Sequence, residues 1–382
     1  MPTVNKNANR VVRRALYARS TVIWALGLWS LDVVAQSNDR GLIPDEPSCT
    51  RCAIVVSPSV QLQVKSADPR HYPPKVVRQD GMGRYWALSG FEPPMLFDQS
   101  GRFLRRVGRT GSGPGEFERP QDIISLPGDS VLVIEVGRAQ VLGPDLRATR
   151  RIILNRQLYP GVVLEWPSAV VLSGDVGGQY LGRRRAHLVD LSRGGAQMAN
   201  QLEYDDAAPR VAFPSAGVFE LAFSPSSRGV WSADPFIYRL VQWNRTRGIT
   251  TILQRRPEWF ATRSEFWNGN ASTPPPPRIA AMHEDESGLL WVYVLVAAPD
   301  WETAWARTRR SSREVNPTDV DVLQLFQTTV EVIDPVQRRV VARTRRREFL
   351  VDVLPGNRAV FYDEDSRGEP RVMVNTLTLV RK

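Results

Sequence analysis

Residues 97 to 124 read Phe-Asp-Gln-Ser-Gly-Arg-Phe-Leu-Arg-Arg-Val-Gly-Arg-Thr-Gly-Ser-Gly-Pro-Gly-Glu-Phe-Glu-Arg-Pro-Gln-Asp-Ile-Ile. A strand ends in a turn at Asp98 to Gly101, and a second strand follows at Phe103 to Val107. A glycine-proline loop then leads through Phe117 and Pro120 into a third. Aspartate and glycine are turn formers because one closes a local hydrogen bond and the other tolerates positive φ. The stretch therefore predicts antiparallel hairpins joined by a longer loop.

The same pattern recurs on both sides of this stretch, while helical periodicity is nearly absent. One strand type follows a glycine or polar turn: Gly83 to Trp86, Asp129 to Val133, Gly229 to Trp231, Gly288 to Trp291 and Asn357 to Phe361. A second unit, strand, Asp/Asn turn, strand, occurs around Asp98, Asp145, Asp190, Asn244 and Asp334. Phasing these units gives six repeats starting near Val76, Asp122, Ala169, Val218, Ile279 and Val351. Such spacing suits a four-stranded unit with short turns. Trp86, Trp231 and Trp291 fall at equivalent places and are expected to pack between neighbouring repeats, since aromatic rings dominate core area.

Gly111, Gly113, Gly115, Glu116, Phe117 and Pro120 match a loop of the form Gly-x-Gly-x-Gly-Glu-Phe-x-x-Pro. The chain thereby resembles the NHL-type six-bladed β-propellers. The resemblance implies an all-β fold, a six-bladed β-propeller of four-stranded antiparallel blades. The last repeat runs out of chain after its third strand, near Val380. The apolar run Ile54 to Val64 is its natural fourth strand, closing the ring from the N-terminus and removing an exposed edge. No second Gly-Glu-Phe loop occurs, and the third repeat, Ala169 to Leu202, is the least regular.

Residues 1–35 read as a signal peptide. Five basic residues precede an apolar run from Val22 to Leu31, and Val33 and Ala35 suit a cleavage before Gln36. Ten apolar residues are about half of the roughly 20 that a membrane-spanning helix needs. The expected chain is thus exported, periplasmic or extracellular, with no stable membrane span after cleavage. Domain boundaries follow: 36–53 is a linker and 54–382 the propeller, expected to be a monomer.

Of 50 Lys+Arg and 40 Asp+Glu residues, five and one lie within residues 1–35, which leaves a net charge of +6. Only four of the basic residues are lysines, and the arginines are scattered. Even the cluster Arg343 to Arg347 has no aromatic-interleaved basic stripe beside it, so no nucleic-acid partner is expected. The two cysteines, Cys49 and Cys52, are expected to form a local disulfide in an exported chain. Ala53 stands where a c-type haem site requires histidine.

Two connections are longer than turns. Residues 255–278 contain Trp259, Phe260, Phe266, Trp267 and the run Pro274 to Pro277. Residues 297–327 contain Asp300, a fair helix cap, with Trp301 and Trp305 on one helical face. Because strands alternate in direction, both insertions and the 108–120 loop should emerge on one face of the ring. Long insertions in compact domains are often functional. Trp259, Trp267, Trp301 and Trp305 are therefore the candidate contacts for a protein, peptide or glycan ligand, or else they pack on one another to close the loops.

Related propellers include metal-dependent lactonases and lyases with a site at the axial mouth. On that reading His283 is the best placed of three histidines, and a calcium site would draw on Asp122, Glu220 or Asp352. No spacing fixes such a ligand set. No nucleophile-base constellation is apparent, and Gly111 to Gly115 lacks the lysine and helix of a phosphate loop. The sequence thus favours a non-catalytic binding module, with no catalytic residue or cofactor assigned.

Overall fold

Four turns are built by one device. Asp80 Oδ1 accepts the amides of Met82 and Arg84 at 3.1 and 2.9 Å. Asp98, Asp285 and Asp365 receive the same pair of amides, two and four residues on. Three residues after each aspartate stands a glycine with positive φ: Gly83, Gly101, Gly288 and Gly368. Asp80 and Asp285 also use their second oxygen to accept the indole N–H of Trp86 and Trp291, each at 2.8 Å. One carboxylate thereby shapes the turn and fixes the ring that enters the core.

The structure is a computed structural model that describes residues 42–64, 74–90, 92–154, 158–165, 169–174, 185–190, 197–202, 222–226, 229–233, 235–244, 248–261, 273–311 and 323–381. The predicted signal segment, Trp267 and Glu220 lie outside them. Among the described residues no helix is long and apolar enough to cross a membrane.

Among the described residues, six four-stranded antiparallel sheets follow one another along the chain. The first holds Val76–Gln79, Tyr85–Leu88, Met95–Phe97 and Phe103–Arg106. The second holds Pro120–Ser125, Val131–Glu135, Arg138–Leu142 and Ala148–Ile153. The third comprises Leu158–Glu165, Ala169–Gly174, Arg185–Asp190 and Gln197–Leu202. The fourth comprises Ala222–Ser226, Gly229–Ala233, Arg239–Asn244 and Gly248–Gln254. The fifth contains Arg278–Glu284, Leu290–Ala297, Phe326–Asp334 and Arg339–Arg346. In the sixth, Phe349–Leu354, Arg358–Glu364 and Pro370–Arg381 are completed by the N-terminal strand Cys52–Leu62.

That last pairing is antiparallel and runs from Cys52 opposite Arg381 to Leu62 opposite Val372, with a bulge near Pro58. The first strand of each sheet touches the first strand of the next, and the sixth touches the first. The molecule is therefore an all-β propeller closed by its N-terminal strand, with the first strands nearest the axis.

Among the described residues, hydrophobic layers lie between the first and second, the fourth and fifth, the fifth and sixth, and the sixth and first sheets. Trp86 packs with Phe117, Ile123 and Val131 across the first and second sheets. Trp231, Tyr238 and Leu253 meet Ile279, Met282 and Leu290 across the fourth and fifth. Trp291 and Tyr293 meet Leu350, Ala359 and Phe361 across the fifth and sixth. All three tryptophans are fully buried, as their repeat positions predict.

Two expectations need correction. The third sheet begins at Leu158, so Ala169–Gly174 is its second strand and not its first. Pro160 and Gly161 are turn-forming residue types, yet the structure takes them into a strand as a register shift. Residues 42–51 also do more than link. Ser48 and Cys49 donate their amides to Val340 and Val341, on the last strand of the fifth sheet. Cys49 and Cys52 are joined by a disulfide, as expected, at the entry to the closing strand.

Candidate functional site

The 108–120 loop is fixed by the second sheet. Gly108 has φ +75°, and a Cβ there would lie 2.1 Å from the Gly115 carbonyl oxygen, so only glycine closes the loop without displacement. Buried Arg138 is held by Glu135, with Nε 2.7 Å from Oε2. It donates Nη2 to the carbonyls of Gly111 and Glu116 at 2.9 and 3.1 Å. Gln140 takes the Gly115 amide at 2.9 Å and donates to the Glu116 carbonyl at 2.8 Å. Glu135 to Arg138 is the turn between the second and third strands of that sheet. The loop preceding a sheet and the second-to-third turn therefore meet, as alternating strands require.

The insertion after residue 297 forms the helix Trp301–Ser311. Trp301 and Trp305 share its inner face as predicted. They are 9% and 5% exposed, in a small cluster with Ala298, Ala304 and Leu325. Both tryptophans pack the helix onto the fifth sheet, the packing side of the two expected alternatives. Glu302, Thr303, Ala306 and Arg307 face outward.

The other insertion is planted by Phe260, which is buried, and by half-buried Trp259. Tyr238, Trp259 and Phe260 form an edge-to-face trio with centroids 5.1 to 6.3 Å apart. Beside it lies an ionic cluster that sequence spacing does not reveal. Fully buried Glu331 accepts hydrogen bonds from the Tyr238 hydroxyl and Arg255, and from Arg343 Nε at 2.6 Å. Burial and the neighbouring Glu331 carboxylate hold the Tyr238 hydroxyl well above its ordinary pKa, so it stays a donor. Burial opposes the charge on Arg343, but Glu331 and Asp45 outweigh it and raise its pKa.

Asp45 completes the cluster from the N-terminal side. Its Oδ1 accepts Arg255 Nη2 at 2.7 Å, Trp259 Nε1 at 3.3 Å and Arg343 Nη2. Arg343 Nη2 also donates to the Asp45 carbonyl at 2.6 Å. The guanidiniums lie over aromatic faces, Arg255 at 4.7 Å from the Tyr238 centroid and Arg343 at 5.2 Å from that of Trp259. Such stacking suits arginine, whose planar group is weakly hydrated.

Near the axis, Asp122 and Asp352 do come together around a cation, but the cation is a guanidinium. Arg78 reaches Asp122 Oδ1 at 3.1 Å with one Nη and pairs with Asp352 through the other. Asp352 Oδ2 also accepts the Val77 amide at 3.0 Å. First strands of the second, first and sixth sheets are thereby tied in series. Among the described residues no group of three or more His, Cys, Asp or Glu could hold a metal ion.

His283 stands at the end of its first strand, mostly buried and stacked on Trp291 and Tyr293, with centroids 5.8 Å away in each case. Its Nε2 meets Asn357 Oδ1 at 2.8 Å, across the fifth and sixth sheets. Burial lowers its pKa against the opposing pull of Asn357 and Asp285. It serves inter-sheet packing here. The aspartate-turn repeat that positions Trp86 and Trp291 was legible as Asp-x-x-Gly-x-x-Trp at residues 80–86 and 285–291, a spacing the strand-based phasing passed over.

No family model matches the chain, and no curated protein sequence matches it. Among solved structures it is similar to a candidate exported protein of Bacteroides fragilis, at 11% identity and TM-score 0.49, over 89% of this chain and 98% of that one. It is also similar to virginiamycin B lyase of Staphylococcus aureus, at 8% identity and TM-score 0.44, over 85% and 100%. A third likeness is to the Pan2 WD40 domain of Neurospora crassa, at 12% identity and TM-score 0.45, over 89% and 97%. The propeller assignment itself rests on strand order and on the closed ring of first strands.

Proposed function

We propose that this chain is an exported binding module, a six-bladed propeller acting in the periplasm or outside the cell. Its ligand is a protein, peptide or glycan held on the insertion-bearing face. Support for the blade count comes from six four-stranded sheets whose first strands touch in a closed cycle. Support for the NHL-like reading remains the loop at 108–120. The observation that carries the function is that the loops of this face are preorganised. Arg138, Gln140 and Glu135 clamp one, Trp301 and Trp305 root the second, and Trp259 with Phe260 roots the third. Ordering loops before binding removes an entropic penalty that a flexible face would meet on association. In this reading Trp259 and Trp267 supply ring contacts, while Trp301 and Trp305 act by holding the helix that displays Glu302 and Arg307.

The metal-dependent lactonase or lyase has weaker support, because Asp122 and Asp352 already share Arg78. Residues 36–382, tested against peptide and glycan arrays, should retain one ligand class. That binding should weaken at least tenfold when Glu302→Arg and Arg307→Glu reverse the helix charges. Retention of no class, or binding indifferent to both changes, would defeat the reading. A melting midpoint that rises saturably with calcium or zinc after metal stripping would instead favour the enzyme.

A further inference from the structure

The segment before the closing strand is held as a bound peptide would be. Ile43 is buried in the layer between the fourth and fifth sheets, and its amide donates to the Gln254 carbonyl at 3.0 Å. Pro44 fixes the backbone between it and Asp45. Two residues on, Asp45 offers a carboxylate to Arg255, Arg343 and Trp259, and its carbonyl to Arg343. The groove therefore reads an apolar side chain, a peptide carbonyl and an acid at fixed spacing.

Its charge also fits such a ligand. Arg255 and Arg343 carry two positive charges, of which Glu331 balances one. The remaining charge meets Asp45, whose side chain is 37% exposed, while that of Arg255 is 1% exposed. The anion thus sits at the open end of the pocket. The fit of Asp45 is incomplete: three donors converge on one of its oxygens, and Arg255 Nε is buried without an acceptor. A carboxylate engaging both oxygens would use the arginine fork better.

We infer that this groove is a peptide site for an extended segment with an apolar residue two positions before an acid. Ile43 and Asp45 occupy it in cis until a partner segment of the same kind displaces them. The inference deepens the binding-module reading, on which it rests. A tethered occupant competes at a local concentration on the order of millimolar, so an incoming segment must match it closely or exceed it.

The test uses the full mature chain carrying Ile43→Ala and Asp45→Ala, with the synthetic peptide Gly-Leu-Ile-Pro-Asp-Glu-Pro-Ser, the sequence of residues 41–48. Calorimetric titration should show saturable binding. Affinity should fall at least tenfold when alanine replaces the peptide's aspartate, or when Arg343→Met is added to the protein. Equal binding of the alanine peptide, or none by a double variant that melts cooperatively, overturns the site. If that variant does not fold, the wild-type chain decides: millimolar peptide should speed hydrogen exchange at the Ile43 amide, and unchanged exchange overturns the site. Peptide binding that ignores reversal of Glu302 and Arg307 would uphold the groove while the helix-bearing face failed.

Discussion

A carboxylate three residues before a glycine does two things in this molecule. Asp285 closes the turn at Gly288 and holds the Trp291 indole, and Trp291 in turn stacks on His283. The imidazole is thereby kept between the fifth and sixth sheets, where burial depresses its pKa below the ordinary 6.5. Because the unfolded chain takes up the proton first, the neutral buried form contributes its stability above about pH 6.5. That contribution is lost as pH falls through the lower folded value. Asp285 and Asn357 face the ring and oppose the depression without abolishing it. Urea unfolding at pH 7.5 and pH 5 should therefore show a smaller loss of stability on acidification for His283→Gln than for the wild type. An identical pH dependence in both would remove His283 from this role.

The helix Trp301–Ser311 shows how an element foreign to the blade pattern is added to it. Its N-terminal turn follows Asp300, whose carbonyl accepts the amides of Thr303 and Ala304 at 3.0 and 3.2 Å. Its inner face places Trp301, Ala304 and Trp305 against Leu325. Eleven residues are too few for an isolated helix to persist in water, so this packing must supply most of the stability. Truncating a buried tryptophan typically costs about 3–5 kcal/mol. Trp301→Ala and Trp305→Ala should approach that loss in the helix while leaving the sheets folded. Hydrogen exchange at residues 301–311 should accelerate far more than at Leu290–Ala297. Equal acceleration at both would mean that the tryptophans belong to the common core of the fifth sheet.

At the scale of the whole molecule, ring closure depends on eleven residues from the far end of the chain, Cys52–Leu62. Without them Pro370–Arg381 would present an open edge of twelve residues, a template for pairing with another chain. A chain beginning at residue 63 should therefore aggregate or lose its cooperative melt, as read by size-exclusion chromatography and calorimetry. A monomeric truncation with an unchanged midpoint would show that closure contributes little. Arg78 acts at the same scale, because its partners Asp122 and Asp352 belong to the neighbouring sheets on either side.

Sequence alone was enough to place the hairpins, their approximate phase, the closing strand and the local disulfide, because turn chemistry and apolar alternation act over a few residues. It placed Trp86, Trp231 and Trp291 in the core for the same reason. It misplaced the start of the third sheet, where Pro160-Gly161 can serve as a turn or a bulge and only pairing with Ala169–Gly174 selects between them. The charged clusters arise only from contacts between distant parts of the chain. Asp45 meets Arg255 and Arg343 across 210 and 298 residues, and Arg255 meets Glu331 across 76. No spacing encodes these encounters. They exist because a closed ring brings the N-terminal segment against the fourth and fifth sheets, where buried charges must find partners.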